Sequence, residues 1–255
     1  MSAAQKPLVT VILAAGQGKR MQYPTKPKVL YPLADKPLVG HVLDVAKAVG
    51  SSRTIAIIGF GREQVREYIS DIAPSAEFAI QDQQLGTGHA LQQITPLLSD
   101  FDGNVLILYG DVPLLTKQSV RKLLDQHISQ RARATILTAI FEDPTGYGRI
   151  VRTPDGKHLS AIVEERDASD EIKLIKEMNS GIYVFDAHTL FEFLDKLTTN
   201  NNQKEYYLTD VFSMINTAYG ENSVALSVCQ NPIEVSGVNT KDQLSELEQY
   251  YLQMK

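Results

Sequence analysis

Leu8-Val-Thr-Val-Ile-Leu13 runs directly into Ala14-Ala-Gly16-Gln-Gly18-Lys-Arg20-Met21, and a second basic stretch, Pro27-Lys28-Val-Leu30, follows shortly after. The opening run is short, apolar and β-branched and ends in small residues, the pattern of a buried strand. Glycines at 16 and 18 permit a sharp turn and bring backbone N–H groups close to a ligand. Arg20 and Lys28 add fixed positive charge. A strand end, bare backbone donors and two cations together suit a polyphosphate. Two familiar phosphate loops do not fit. A P-loop needs a first glycine where Leu13 stands and Ser or Thr where Arg20 stands, and the dinucleotide fingerprint needs a small residue where Met21 stands. By itself the loop is also compatible with an ordinary strand-to-helix turn carrying solvated charges.

Beyond this loop, apolar runs predict strands at Val9–Leu13, Thr54–Ile58, Glu77–Ile80 and Val105–Tyr109. Helical patterns fall between them at Leu38–Val49, Glu63–Ile72 and Thr87–Leu98. A helix over 117–130 and a strand over 134–140 continue the alternation. Strands alternating with helices of this length imply an α/β, doubly wound, mostly parallel sheet. After Glu142-Asp-Pro-Thr-Gly-Tyr-Gly148 the character changes. Short strands at Arg149–Val151, Leu159–Val163 and Gly181–Phe185, separated by turns such as Pro154-Asp-Gly156, suggest a mixed sheet or a lid on the core. Helices return near Ala187–Leu197 and Leu208–Ala218, with a strand at Ser223–Val228. The last helix, Lys241–Leu252, opens with Thr240 and Gln243 spaced as a capping box. The expected organisation is a single domain over 1–255: a core to about 140, a second lobe and return over 141–230, and a C-terminal helix over 240–253.

With 255 residues the chain can bury a sizeable core. Its net charge of −5 argues against nonspecific nucleic-acid or membrane attachment but not against a nucleotide, which needs only local positive charge. A single cysteine, Cys229, excludes an intramolecular disulfide and fits a reducing compartment; its apolar surroundings suggest an inert strand residue. No signal-peptide stretch and no run of membrane-spanning length is present. The expectation is a soluble, cytoplasmic protein.

Four further segments follow in order: Gln81-Asp-Gln-Gln-Leu-Gly86-Thr87-Gly88-His-Ala90, Tyr109-Gly110-Asp111-Val-Pro-Leu114, Thr145-Gly-Tyr-Gly148-Arg-Ile150 and Glu177-Met-Asn179-Ser-Gly181-Ile. With the opening loop they make the chain resemble the sugar-phosphate nucleotidyltransferases, and within them the N-acetylglucosamine-1-phosphate uridyltransferases. The resemblance runs from about Val9 to the end of the chain. It implies a Rossmann-like nucleotidyltransferase fold with a small mixed-sheet sugar-binding lobe. The implied reaction joins UTP and N-acetylglucosamine 1-phosphate into UDP-N-acetylglucosamine and pyrophosphate, with Mg²⁺.

Residue chemistry and resemblance meet at particular positions. Asp111, one glycine beyond a strand end, suits an Mg²⁺ ligand or equally a helix N-cap or turn aspartate; the resemblance makes it the metal aspartate. Asn239 has an amide oxygen fit for Mg²⁺ and also a position fit for capping the last helix; the resemblance makes it the second metal ligand. Arg20 and Lys28 would stabilise charge on the departing pyrophosphate, with Lys26 as a rival for Lys28. The incoming sugar phosphate is already ionised, so no strong general base is needed. The resemblance places Leu13, Ala14, Ala15, Gly16, Gln81, Gly86, Thr87, Tyr109 and Gly110 around the nucleotide, and Gly148, Glu164 and Asn179 around the sugar. His89 reads as structural, Glu165 and Asp167 as solvated neighbours, and Glu205-Tyr-Tyr-Leu-Thr-Asp210 as packing near the site.

Two departures stand out: Lys19 replaces a threonine common in the family, and the loop from Met21 to Lys28 is about one residue longer. The family continues its last helix into a left-handed β-helix acetyltransferase domain with hexapeptide repeats. No such repeat follows Lys255, so the expectation is no acetyl transfer, a trimer disfavoured, and a monomer or weak dimer through the exposed face of the last helix. Two other readings remain open: the same chemistry on another sugar phosphate or with dTTP, and a noncatalytic nucleotide-sugar-binding module.

Overall fold

The computed structural model of the chain describes residues 6–18, 21 and 26–253. Strand β1 (Leu8–Ala14) is followed by a single 3₁₀ turn at Lys28–Leu30 and a two-residue hairpin, β2 (Pro32–Leu33) and β3 (Lys36–Pro37). Helix α1 (Leu38–Ala48), strand β4 (Arg53–Ile58), helix α2 (Arg62–Ile72) and strand β5 (Glu77–Ile80) come next. Two short helices, α3 (Thr87–Gln92) and α4 (Thr95–Leu98), lead to β6 (Asn104–Tyr109), α5 (Lys117–Ser129) and β7 (Ala134–Ile140). Then come β8 (Arg149–Arg152), β9 (Leu159–Val163), α6 (Asp170–Lys173), β10 (Glu177–Asp186) and α7 (Ala187–Leu194). Helix α8 (Asp210–Tyr219), strand β11 (Val224–Val228) and helix α9 (Lys241–Gln253) complete the chain.

The main sheet runs β11-β7-β10-β6-β1-β4-β5. Its pairings β11–β7, β6–β1, β1–β4 and β4–β5 are parallel, and only β10 runs against its neighbours. The period of two in a strand divides the apolar runs between two layers. Val9 and Val11 join Ile55, Ile57, Val105 and Ile107 on one face. Ile12 and Ala14 join Ala56, Ile58, Leu106 and Leu108 on the other. A smaller cluster of Met21, Leu33, Leu38, Leu114, Val238 and Leu247 lies beneath α9.

Three expectations need revising. The helix expected over Thr87–Leu98 is two helices, because Thr95 begins a new turn with Pro96 in its first positions, where a missing N–H costs nothing. The strand expected at Gly181–Phe185 is ten residues long. The third concerns how the second lobe joins the core, left open between a mixed sheet and a lid: β9 pairs with β8, and β8 pairs with β10 at Met178↔Arg149, so the hairpin extends the main sheet.

The long strand explains how this happens. The register of β10 against β7 shifts between Asn179 and Tyr183, and Gly181 in that bulge has φ +81°. A Cβ there would stand 2.6 Å from a Tyr109 ring carbon, so only glycine fits. Beyond the bulge, Tyr183–Asp186 pairs with β6; before it, the strand parts from β6 and a cleft opens.

Candidate active site

In an open α/β sheet the crevice outside the carboxyl ends of the strands receives ligands. Here a cleft of about 420 Å³ lies at that edge. Its lining follows the strand order. Gln81 stands just after β5, Leu13, Ala15 and Gly16 end β1, and Tyr109 and Asp111 end β6. Asn179 belongs to the antiparallel β10, whose first residues lie at the same edge. Neighbouring strands are ~4.8 Å apart, so β5 to β10 spans roughly 19 Å, room for a base, phosphates and a sugar in line.

At the centre, Lys28 ion-pairs with Asp111 Oδ2, and its Nζ donates to Asn239 Oδ1 at 3.1 Å. Three residues far apart in sequence thus converge on one point. Gly18 makes this possible: it adopts φ +65°, and a Cβ on it would come within 2.7 Å of the Lys28 Cβ. The glycine is needed for the lysine stem to pass beneath the loop. Lys26 is elsewhere, exposed and with its ammonium 5.1 Å from the Tyr31 ring centroid. Arg20 and Lys19 lie outside the described residues.

The two capping alternatives resolve in the same geometry. Helix α5 is capped by Thr116, whose side chain accepts the Ser119 N–H, and not by Asp111. Thr240 Oγ1 accepts the Gln243 N–H, while Gln243 Oε1 accepts the N–H groups of Asn239 at 2.8 Å and Thr240 at 3.2 Å. This is the expected capping box, and it leaves the Asn239 side chain to face Lys28. The oxygens of Asp111 and Asn239 already share a cation, the Lys28 ammonium. One anionic and one neutral oxygen donor, with waters and phosphates completing the shell, is a set that suits Mg²⁺. Among the described residues no group of three or more His, Cys, Asp or Glu is placed to hold a metal.

At one end of the cleft, Gln81 is 5% exposed. Its Nε2 donates to the Gly86 carbonyl at 3.0 Å and lies 3.3 Å from His89 Nδ1. The Gly86 bond fixes which way the amide points, with Nε2 toward the protein and Oε1 on the opposite side. His89 thus lies against the Gln81 amide. Thr87 Oγ1 accepts the Leu208 N–H at 3.1 Å, and Gln84 Nε2 donates to the Ala15 carbonyl at 2.8 Å. Burial pushes the Tyr109 phenol far above its ordinary pKa. Ala14 and Gly110 stand behind the wall. Ala14 is 1% exposed in the core beside Val29, and the Gly110 N–H donates to the Leu13 carbonyl at 3.0 Å.

At the other end, Gly148 and Glu164 face each other: a Cβ on Gly148 would lie 3.4 Å from Glu164 Oε2. Burial raises the Glu164 carboxyl above its ordinary range, opposed by a 3.1 Å hydrogen bond from the Thr209 hydroxyl to Oε1. Asn179 Nδ2 donates to the Tyr183 hydroxyl at 2.7 Å. Tyr207 and Thr209 also line the cleft, so the Glu205–Asp210 segment is part of the wall and not merely packing nearby. Burial pushes the Tyr207 phenol up to about 12, and the Asp167 carboxylate adds to the shift. Nor are Glu165 and Asp167 solvated bystanders. Glu165 Oε2 pairs with the buried Arg149 at 2.9 Å and accepts the Gly146 N–H at 3.2 Å. Asp167 accepts from Tyr207 and Asn202.

Of the named candidates, Leu13, Ala15, Gly16, Lys28, Gln81, Gly86, Thr87, Tyr109, Asp111, Gly148, Glu164, Asn179 and Asn239 all line one cleft. Gln84 and Tyr147 line it too and were not singled out. Both sit inside quoted motifs, so the signal was present without a means of ranking residues within it.

Residues 10–179 match the model of the MobA-like NTP transferase domain. The chain belongs to that family. The chain is also 46% identical over 240 residues to the bifunctional protein GlmU of Geobacillus thermodenitrificans, covering 93% of this chain and 50% of that protein. The bifunctional protein GlmU of Bacillus subtilis is 43% identical over 240 residues, covering 94% of this chain and 51% of its own. The chain spans about half the length of the curated relatives it matches. A UDP-glucose pyrophosphorylase complexed with UDP-glucose superposes with TM-score 0.78 at 17% identity, covering 98% of this chain and all of that one. A putative glucose-1-phosphate thymidylyltransferase from Bacillus anthracis, in complex with a sucrose, gives TM-score 0.74 at 18% identity, covering 95% and 94%. At these identities the two structures speak for the Rossmann-like nucleotidyltransferase fold. No helix among the described residues is long and apolar enough to cross a membrane.

Proposed function

We propose that the protein transfers UMP from UTP to N-acetylglucosamine 1-phosphate, releasing pyrophosphate and forming UDP-N-acetylglucosamine. The observation that carries this reading is the order of groups along one cleft: an amide reader, a cationic centre with two oxygen donors, and a buried carboxylate end. The identity with bifunctional GlmU proteins supports the choice of sugar and base.

Gln81 Oε1 accepts the imino N–H of uracil; cytosine has no proton at that nitrogen. Glu164, Asn179 and the open face of Gly148 receive the acetamido sugar. The phosphate oxygen of the sugar attacks the α-phosphorus of UTP, its bond to phosphorus forming as the bond to pyrophosphate breaks. The attacking oxygen is already anionic, so no proton need be removed. Lys28 shifts its ammonium from Asp111 and Asn239 to the phosphates and balances the charge that gathers on the leaving group, an interaction stronger in the transition state than before it. Arg20 would add to this. Asp111 and Asn239 would hold Mg²⁺, which when bound neutralises phosphate charge and polarises the phosphoryl oxygens. We further assign the chain to the cytosol, where the nucleotide is found.

The test is pyrophosphate release from purified protein with UTP and Mg²⁺, comparing N-acetylglucosamine 1-phosphate with glucose 1-phosphate. A strong preference for the acetamido sugar is expected. Equal use of both would discard the sugar assignment, and no release with either would overturn the reaction.

A further inference from the structure

Asp167 does not line the cleft, yet it holds the two walls of its carboxylate end together. The turn after β9 carries Glu164 and Asp167, and its Asp167 N–H closes back onto the Glu164 carbonyl at 2.9 Å. Facing it, residues 202–209 carry Asn202, Gln203, Tyr207 and Thr209. Asp167 Oδ1 accepts the Asn202 main-chain N–H at 3.0 Å, and Oδ2 accepts the Tyr207 O–H at 3.0 Å. Asn202 Nδ2 donates to the Arg166 carbonyl at 3.1 Å. On its other side the Tyr207 oxygen accepts from Gln203 Nε2 at 2.7 Å.

The direction of these bonds matters. A tyrosine hydroxyl has one proton, and here it goes to the Asp167 carboxylate, which can only accept, while Gln203 Nε2 donates to the same oxygen. What Tyr207 offers the cleft is therefore a lone pair. Glu164, an acceptor whenever ionised, stands in the same wall. We propose that Asp167 is a positioning residue for the acceptor sugar: by taking the Tyr207 proton it makes this end of the cleft accept hydrogen bonds, selecting sugar hydroxyls or an amide N–H. The inference rests on the function proposed above.

An isosteric change isolates the effect. In Asp167→Asn the new amide must keep its oxygen toward the Asn202 N–H, a main-chain donor that cannot reverse. Its NH₂ then faces Tyr207, which becomes its acceptor and, with Gln203 Nε2 still on its oxygen, turns its own proton toward the cleft. Shape is kept and polarity is inverted.

The experiment measures kcat and KM for both substrates, with thermal melts, in wild type, Asp167→Asn, Tyr207→Phe and the double variant. Titration calorimetry with UDP-N-acetylglucosamine and with UTP accompanies them. Asp167→Asn is expected to raise the sugar-phosphate KM and weaken the sugar nucleotide about tenfold, a loss typical of one reversed hydrogen bond. The UTP affinity and the melting temperature should hold. In the Tyr207→Phe background the same change should have under about a twofold effect, since there is no hydroxyl to reverse. If wild type turns over and Asp167→Asn matches it, the positioning role is overturned and the proposed function stands. Equal weakening of UTP and sugar, or the same penalty without the Tyr207 hydroxyl, would mark Asp167 as a structural clasp only and overturn the inference. A wild type that neither binds the sugar nucleotide nor turns over would overturn both.

Discussion

The main-chain N–H of Val238 donates to the carbonyl oxygen of Asp111 at 2.9 Å. This one bond joins the end of β6 to the loop entering α9, and so sets the spacing between Asp111 and Asn239 by backbone alone. Substitution of the Asp111 side chain leaves that bond intact. Asp111→Ala is therefore expected to fold with a nearly unchanged melting temperature. Its rate of pyrophosphate release should fall by roughly a hundredfold or more, matching several kcal/mol of lost charge stabilisation. Full activity in magnesium would sink the metal assignment.

Lys28 and Lys26 are two residues apart and differ in every contact. Lys28→Ala should reduce kcat by about a hundredfold, the usual loss on removing one charge-stabilising group. Lys26→Ala, which loses an exposed contact to Tyr31, should stay within about threefold of wild type. Steady-state kinetics on the two variants decide it, and the opposite ranking would refute the geometry of the cationic centre.

Gln81 owes its orientation to Gly86 and His89, so its carbonyl oxygen points in a fixed sense. Gln81→Ala should lower the preference for UTP over CTP by about tenfold to a hundredfold, the value of one buried hydrogen bond of roughly 1–3 kcal/mol. Competition between the two nucleotides in one reaction gives the ratio directly; an unchanged ratio removes Gln81 from base reading.

His127 supplies a pH dependence away from the site. It is 3% exposed, bonded through Nδ1 to the Thr135 hydroxyl at 2.9 Å, and burial pushes its pKa down to about 4, with Asp186 and Lys6 as lesser influences of opposite sign. The unfolded chain, with a histidine near 6.5, binds this proton more readily than the folded one. Its contribution is thus complete above pH 6.5 and is lost as pH falls toward 4, to a limit of about 3 kcal/mol. Urea unfolding of wild type and His127→Gln across pH 4–7 should show a flatter curve for the variant, and parallel curves would refute the assignment.

Parallel, twice-covered strands such as β1, β4 and β6 were legible because they are continuous apolar runs, and β5, β7 and β9 were read to the residue as well. The antiparallel reach of β10 was not. Its first residues mix Glu177, paired with Arg152, and a buried Met178 with Asn179 and Ser180, which line the cleft, and a bulge at Gly181 hides the period of two. Site residues held by backbone geometry after strands, such as Asp111 and Gln81, could be anticipated from position. Asp167 could not, since its role depends on a partner forty residues later and on which atom owns a proton.

The strand order carries a consequence for how such a protein can change. The strands from β5 to β6 form one parallel unit, whereas Gly148 and Glu164 ride on the β8–β9 hairpin, which joins the sheet through its pairing with β10. Substrate choice at one end can then drift, or be grafted, without retuning the other. If the proposed function holds, exchange of residues 146–167 between homologues is a natural crossover for altering one end of the cleft while keeping the other.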